Sequence, residues 1–257
     1  QIERLADCIT KHLTASGAPR AAVGPRVREA LAPVTFVVGT DTGIGKTVVS
    51  ALLLRAAARL GAAAYWKPVQ TGDDDDTATV RQLARATPDA LLPNVQWLPL
   101  PASPHEAALA AGTRIDIERI DERFAAFRRE RPERRLVVEF AGGLLVPYTL
   151  EPQPLTQGEW LARTCAPGRP EARGTELVLV ARSGLGTLNH TLLTLEALRA
   201  RRLEPRLLLL VGPPHPSNLA TLRTIAGVPT VLALPHFERV DTAALDGWLA
   251  RHQGDLF

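Results

Sequence analysis

The chain has 257 residues, 46% of them hydrophobic, which is enough for a substantial core in one large or two small domains and excludes a disordered chain. A formal charge of +3 is too small for a general nucleic-acid binder, and the apolar runs are too short to span a membrane. Only three of the 30 basic residues are lysines: Lys11, Lys46 and Lys67. A retained lysine is a candidate for chemistry that needs a compact ammonium, although for Lys11 we prefer chance.

The two cysteines, Cys8 and Cys165, cannot form a disulfide framework, so we expect a reducing compartment. The first residues lack the apolar core of a signal peptide, and because no methionine is present we expect the sequence to lack at least its initiator. Residues 1–33 combine helical spacing with an Ala-, Gly- and Pro-rich stretch. We predict that they form an extension, a short helix and a linker, ahead of one domain over residues 34–257.

From Val34 onward, apolar runs of strand length alternate with helical patterns. The predicted strands are 35–39, 63–69, 136–141, 177–181, 206–211 and 230–234, and the predicted helices are 46–60, 77–86, 118–130, 187–202, 217–226 and 242–252. Strands that are apolar on both faces and regularly followed by helices indicate an α/β fold, a doubly wound parallel sheet with helices on both faces. In such a sheet, ligands bind at the carboxyl ends of the strands.

The first predicted strand runs into a glycine loop, Gly39-Thr-Asp-Thr-Gly-Ile-Gly-Lys-Thr47, and a helix follows at once. Glycines let backbone N–H groups face a phosphate, Lys46 can reach the outer phosphates, and the Thr47 hydroxyl is placed to bind Mg²⁺. Five residues separate Gly39 from Gly45, one more than in the common motif, so a glycine turn that only caps the helix is the alternative. We predict a nucleoside triphosphate site. GTPases are disfavoured, because the chain has no Asn-Lys-x-Asp motif.

Three further charged residues lie at or after strand ends. Lys67 can neutralise charge during phosphoryl transfer, the alternative being a lysine that extends from a strand end into solvent. Asp76 heads a helix after an acidic run and is our candidate Mg²⁺ ligand, although such a run is ordinarily a solvated loop. Glu139 ends an apolar strand, where a carboxylate needs a cation, so we predict a second metal ligand rather than the partner of an arginine.

Together these residues resemble dethiobiotin synthetase, the ATP-dependent carboxylase family that closes the ureido ring of biotin's precursor. The matching segments are the glycine loop, Lys67-Pro-Val-Gln-Thr-Gly72, Asp75-Asp76, Pro104-His105, Val138-Glu139 with Ala141-Gly-Gly143, and Gly184-Leu-Gly-Thr-Leu-Asn-His190. The resemblance implies a P-loop fold of about seven strands and a cytoplasmic homodimer. It implies conversion of 7,8-diaminononanoate, CO₂ and Mg-ATP to dethiobiotin, ADP and phosphate, through a carbamate and a carbamic–phosphoric anhydride.

The resemblance also implies a role for each matching position. Lys46 would hold the β- and γ-phosphates, and Lys67 would stabilise the carbamate and the transferred phosphoryl group. The implied Mg²⁺ ligands are Thr47, Asp76 and Glu139. Substrate contacts are implied for Thr42, Lys67, Thr71, Gly186, Thr187 and Asn189. Contacts with ATP are implied for Gly43, Ile44, Gly45, Lys46, Thr47, Val48, Asp76, Glu139, Gly142, Gly212, Pro213, Pro235, His236 and Phe237.

The loop of residues 184–189 would reach the partner subunit's substrate, the simpler alternative being a tight turn into a helix. Phe140 replaces a family glycine, and it either crowds the phosphate pocket or alters only packing. After a late strand the family has an asparagine that reads the nucleotide base, and this chain has Gly212 there. The identity of the base is therefore not predicted. Residues 166–176 look like an insertion.

Two alternative functions compete with this resemblance. A partition- or switch-type ATPase is disfavoured by the Lys67 segment, and a cobyrinate-type amidoligase would need a longer chain.

Overall fold

A computed structural model describes residues 34–169 and 172–256, so the predicted extension over residues 1–33 lies outside the described residues. The strands in the described part are β1 (Val34–Gly39), β2 (Ala63–Trp66), β3 (Val69–Thr71), β4 (Leu91–Leu92), β5 (Gln96–Leu98), β6 (Arg135–Glu139), β7 (Pro147–Thr149), β8 (Leu155–Thr156), β9 (Thr175–Arg182), β10 (Pro205–Val211) and β11 (Thr230–Leu234). Seven of them form one sheet in the order β11-β10-β9-β1-β6-β2-β4, in which every pair is parallel.

Several helices of the described part begin at a side chain that caps them. They are α1 (Lys46–Ala58), α2 (Asp76–Ala84), α3 (Pro104–Ala110), α4 (Ile117–Glu130), α5 (Gln157–Thr164), α6 (Thr187–Ala200), α7 (Pro216–Ile225) and α8 (Thr242–Leu256). Asp75, Asp116 and Thr156 accept hydrogen bonds from backbone N–H groups in the first turns of α2, α4 and α5. None of the described helices combines the length and the apolar character needed to cross a bilayer.

Each face of the large sheet carries its own hydrophobic core, because successive strand residues point to opposite faces. Val37 faces the layer of α1, α2 and α8, whereas Phe36 and Val38 face the layer of α3 to α7. A sheet buried on both faces explains why its longer strands are continuous apolar runs. The predicted fold, doubly wound and mostly parallel, is confirmed.

One predicted strand, over residues 63–69, is wrong in its extent. The chain leaves the large sheet after β2 and resumes as β3, which pairs in parallel with β5 in a separate small sheet. The break lies at Lys67 and Pro68, and proline has no N–H to donate to a sheet. The small antiparallel sheet of β7 and β8, and helices α3 and α5, were not among the predicted elements. Residues 170 and 171, within the predicted insertion, lie outside the described part.

Phe140 packs in the core and does not enter the phosphate pocket. Its side chain is 1% exposed, with its ring 6.0 Å from that of Phe36 and 5.7 Å from that of Trp160. Glu139, its neighbour on the chain, faces the opposite side, toward the start of α1. Of the two consequences expected for Phe140, altered packing is therefore the one observed.

Candidate active site

The phosphate loop joins β1 to α1 and ends in a left-handed glycine. Gly45 has φ +94°, and a Cβ there would lie 2.8 Å from Val211 Cγ1, so a larger residue does not fit. Lys46, the next residue, is 6% exposed, and its Nζ donates a hydrogen bond of 2.7 Å across the loop to Asp41 O. Burial lowers the pKa of Lys46 to about 8, although the carboxylate of Glu139 acts in the opposite direction.

Thr47, Asp76 and Glu139 meet at the start of α1. The Thr47 hydroxyl Oγ1 lies 2.7 Å from Asp76 Oδ1 and 3.0 Å from Glu139 Oε1. Each comes from a different element, since Asp76 opens α2 and the buried Glu139 ends β6. The position of Asp76 depends on its neighbour Asp75, which caps α2 by accepting a 2.8 Å hydrogen bond from the Ala78 N–H. The structure thus brings the three predicted ligands together.

Lys67 lies against the same two carboxylates. Its ammonium is hydrogen-bonded to Asp76 Oδ2 and lies 3.3 Å from Glu139 Oε1, with the whole residue 6% exposed. Burial alone would lower the pKa of Lys67, but Glu139 and Asp76 together outweigh it and the pKa is raised. Burial would likewise raise the pKa of Asp76, yet the nearby Lys67 holds it below its usual range. The solvent-extended alternative for Lys67 is thereby excluded.

The donor atoms of this cluster suit a hard divalent cation. Two carboxylates and one hydroxyl converge, which are the oxygen ligands that Mg²⁺ takes alongside water and phosphate. Among the described residues, no group of three or more His, Cys, Asp or Glu side chains could hold a metal without other ligands. A site with so few protein ligands is typical of Mg²⁺, which keeps several waters and binds through one or two carboxylates plus substrate phosphates.

Two buried polar residues that support the site were missed from the sequence. Tyr65 is fully buried and its hydroxyl donates a 3.0 Å hydrogen bond to Glu139 Oε2; burial, and then the charge of Glu139, raises its pKa. Gln157, also fully buried, accepts a 3.0 Å hydrogen bond from the Ala141 N–H, and its Nε2 donates to the Ala141 and Gly143 carbonyls at 2.5 and 3.2 Å. Tyr65 resembles a core residue, and Gln157 lies far along the chain.

A cavity of about 700 Å³ opens beside the phosphate loop, at the carboxyl ends of β9, β10 and β11. It contains nine of the residues implied to contact ATP: Gly43, Ile44, Gly45, Val48, Gly212, Pro213, Pro235, His236 and Phe237. Arg182 and Leu185 also line it, and Arg182 forms an ion pair with Asp41 of the phosphate loop. Its size lies within the range of pockets for small molecules, and its position fits the base and ribose of a nucleotide bound at the loop.

The wall of this cavity is formed in part by main chain. Gly212 has φ +139°, and a Cβ there would lie 2.5 Å from Ser183 Oγ, so an asparagine at this position would strain the backbone and require Ser183 to shift. Asn218 lies near, but its Nδ2 donates to the Ser183 and Gly184 carbonyls at 2.9 and 3.2 Å. The Asn218 amide N–H groups therefore connect α7 to the loop after β9. Asn218 does not occupy the position of the missing base-reading asparagine.

Apart from Lys67, the residues implied to contact substrate come from three segments of the chain. Thr42 belongs to the phosphate loop, with its Oγ1 3.2 Å from where a Cβ of Gly142 would be, and Thr71 ends β3. Gly186, Thr187 and Asn189 lie at the start of α6. Thr187 is buried and its Oγ1 lies 3.2 Å from that of Thr191. Among the described residues, the Lys67 ammonium donates to Asp76 and Glu139 and not to this loop.

Comparison with known proteins identifies the family. The AAA domain family model matches residues 34–157 and 171–244. The chain is 42% identical over 218 residues to the biotin biosynthesis bifunctional protein BioCD of Bordetella avium, covering 83% of the chain and 42% of that longer protein. It is 41% identical over 211 residues to the ATP-dependent dethiobiotin synthetase BioD of Rhodopseudomonas palustris, covering 81% of the chain and 89% of that protein.

Among solved structures, a nucleotide-binding protein in complex with ADP from Archaeoglobus fulgidus covers 87% of the chain, with a TM-score of 0.41 and 10% identity, which is too slight a likeness to add to the assignment. The chain spans less than half of the bifunctional relative but nearly the whole of the BioD relative. The chain therefore belongs to the ATP-dependent dethiobiotin synthetase family and is an ATP-using enzyme of biotin biosynthesis.

Proposed function

We propose that this chain converts 7,8-diaminononanoate, CO₂ and Mg-ATP to dethiobiotin, ADP and phosphate. The observation that carries the proposal is the contact of Lys67 with both Asp76 and Glu139, beside Thr47 of the phosphate loop. This arrangement places a buried ammonium next to the groups that would hold the phosphate end of ATP. A switch-type ATPase, the alternative, has no need of this lysine, since its output is contact with a partner protein.

The phosphate loop would hold the triphosphate by main-chain N–H groups and by Lys46. The Lys46 ammonium donates to Asp41 O, a neutral acceptor that phosphate oxygens can replace. The helix dipole of α1, whose first residue is Lys46, adds partial positive charge at the same point. These contacts orient the γ-phosphate toward Lys67.

Lys67 would stabilise the negative charge that passes from carbamate to phosphate. One amine of the diamine adds to CO₂ to give a carbamate and a proton. A carbamate oxygen attacks the γ-phosphorus, and the bond to the bridging oxygen of ADP breaks. The second amine attacks the anhydride carbon, expels phosphate and loses a proton, which closes the ring. The Lys67 ammonium donates to oxygens that carry charge throughout.

We propose that Thr47, Asp76 and Glu139 would hold Mg²⁺ beside the phosphates of ATP. When bound, the cation neutralises charge on those phosphates and so favours ADP as a leaving group. The buried position of Glu139, 1% exposed, supports this role because a carboxylate there needs positive charge or donors.

We further propose a cytoplasmic homodimer in which Gly186, Thr187 and Asn189 contact the substrate bound to the partner subunit. Leu185, in the same loop, is 96% exposed, as suits a segment that meets another chain. Sedimentation velocity of the full chain tests the homodimer, and the KM of Asn189→Ala for the diamine tests the contact with substrate. A monomer with full activity contradicts this part of the proposal.

The decisive experiment incubates the full chain with Mg-ATP, bicarbonate and diaminononanoate and looks for dethiobiotin by mass spectrometry. We expect dethiobiotin, with one ADP formed for each product molecule. Leaving out the diamine should strongly reduce ATP hydrolysis, because the carbamate is the phosphoryl acceptor. ATP hydrolysis that is undiminished without the diamine, together with no dethiobiotin, contradicts the proposed function.

A further inference from the structure

Tyr65 connects the hydrophobic core to the candidate metal site. It is 0% exposed, it belongs to the core layer of α1, α2 and α8, and its hydroxyl donates to Glu139 Oε2 at 3.0 Å. A tyrosine buried this completely needs a partner for its hydroxyl, and here the partner is a carboxylate. The contact is therefore a charge-assisted hydrogen bond between the core and the site.

The strand register explains why Tyr65 reaches Glu139. Strands β2 and β6 are parallel neighbours in which Tyr65 lies opposite Val137. Glu139 is two residues further along β6, so it lies on the same face as Val137 and diagonal to Tyr65. Diagonal neighbours on one face of a sheet lie within reach of a long aromatic side chain. The tyrosine ring thus has the length that this contact requires.

The two oxygens of Glu139 have different partners. Oε1 lies 3.0 Å from Thr47 Oγ1 and 3.3 Å from Lys67 Nζ, whereas Oε2 accepts from Tyr65. The terminal torsion of a glutamate has a broad range, so the carboxylate plane is not fixed by the side chain itself. The Tyr65 hydroxyl on Oε2, together with Thr47 and Lys67 on Oε1, fixes the carboxylate plane, and among the described residues only the contact of Tyr65 keeps Oε2 turned away from the site.

Building on the function proposed above, we propose that Tyr65 is a positioning residue of the metal site, whose hydroxyl holds Glu139 Oε2 so that Oε1 is presented to the divalent cation. Tyr65 acts through Glu139 and contacts neither nucleotide nor cation. Hydrogen-bond partners of metal ligands commonly contribute 10- to 100-fold to metal affinity, roughly the range we expect here.

The test measures Mn²⁺ binding by electron paramagnetic resonance in the full chain with ADP present. Tyr65→Phe removes one oxygen and keeps the ring, and we expect roughly tenfold weaker Mn²⁺ binding. Tyr148→Phe is the matched control, because Tyr148 is equally buried at 1% exposed but packs on Trp160 in the opposite core layer. We expect this control to bind Mn²⁺ as the wild type does. Glu139→Gln, which alters the proposed ligand itself, should bind Mn²⁺ more weakly.

The outcomes separate this inference from the proposed function. Wild-type Mn²⁺ affinity in Tyr65→Phe, with weakened affinity in Glu139→Gln, overturns the positioning role and leaves the metal site intact. Unchanged affinity in Glu139→Gln overturns the proposed metal site itself. A merely structural Tyr65 lowers the melting temperature of Tyr65→Phe without changing Mn²⁺ affinity, and that result also overturns the proposal.

A second measurement keeps the inference testable if Tyr65→Phe does not fold. The chain has two tyrosines, so 3-fluorotyrosine labelling gives two ¹⁹F resonances, which Tyr148→Phe assigns. Adding Mg²⁺ with ADP should shift the Tyr65 resonance, because its hydrogen-bond acceptor then shares charge with the cation. The Tyr148 resonance should stay in place. A Tyr65 resonance that does not move contradicts the proposal.

Discussion

Lys46 and Lys67 belong to one cluster, yet their surroundings move their pKa values in opposite directions. For Lys46 burial dominates and lowers the pKa to about 8, whereas for Lys67 two carboxylates outweigh burial and raise it. Lys67 therefore keeps its charge at any physiological pH, while the charge of Lys46 depends on what is bound beside it. A permanent charge suits Lys67, which would stabilise charge that develops in the reaction. A charge that depends on the surroundings suits Lys46, which would become fully protonated when phosphate binds.

Replacing Lys67 with arginine should lower kcat on the order of 100-fold, although the charge is kept. The Lys67 ammonium contacts both Asp76 and Glu139 at one point, whereas a planar guanidinium is bulkier and its donors lie in a fixed fork. Steady-state kinetics measures kcat, and ATP affinity by calorimetry serves as the control that should change little. A kcat near that of the wild type would refute the role of a compact charge.

ATP binding should take up a proton above pH 8. The free protein holds Lys46 with a pKa of about 8, and phosphate oxygens favour its charged form, so binding raises that pKa. As pH rises through the free-state pKa, Lys46 loses its proton and ATP affinity falls, whereas well below that pKa no proton is taken up at Lys46. Calorimetry in buffers of different ionisation enthalpy measures the uptake. Equal apparent enthalpies in all buffers above pH 8 would contradict it.

At the residue scale, the sequence identifies site residues whose side chains are unusual for their place in the chain. Lys67 among arginines and Glu139 in an apolar strand are such residues, and the structure places them in contact. Tyr65 and Gln157 carry no such signal. A tyrosine in an apolar strand is an ordinary core residue, and the contacts of Gln157 depend on how α5 packs against a loop 14 to 16 residues earlier.

At the element scale, long apolar strands and helices were predictable because local sequence determines them. Strands such as β4, with two residues, and β5, with three, have no periodic pattern, since pairing to a neighbour defines them. The division of the predicted strand 63–69 could have been found from Pro68, which cannot donate within a sheet. The separate small sheet of β3 and β5 depends on tertiary contacts that no local pattern reveals.

Gln157, the first residue of α5, should stabilise the loop that follows Glu139. Gln157→Met removes partners from the buried Ala141 N–H and carbonyl, and each unpaired group costs about 1–3 kcal/mol. Because the Leu144 N–H in the same loop bonds Gly39 O of the phosphate loop, we also expect a higher KM for ATP. Urea denaturation gives the free energy of unfolding, and steady-state kinetics gives KM.

Thr156→Ala is the matched control on the same helix. Thr156 caps α5 in a capping box with Glu159, and losing the cap costs about 1 kcal/mol. We expect this variant to lose stability and to keep the KM for ATP of the wild type. If both variants raise KM equally, general destabilisation of α5 explains the effect and the specific role of Gln157 is wrong.

At the scale of the whole molecule, a chain lacking residues 1–33 should keep the kcat and the melting temperature of the full chain. The family match begins at residue 34, and the strand that leads into the phosphate loop begins at the same residue. Kinetics and thermal denaturation of the shortened and full chains measure the difference. A marked loss of either quantity would show that the predicted extension belongs to the domain.

The cluster of Lys46, Lys67, Asp76 and Glu139 contains as many positive as negative charges, which has a consequence for how a nucleotide arrives. A pocket without excess charge exerts little long-range electrostatic steering on an anion. The high pI of 9.2 thus does not describe the field at the site. We expect the association rate of ATP to depend only weakly on ionic strength, with capture governed by short-range contacts with the loop.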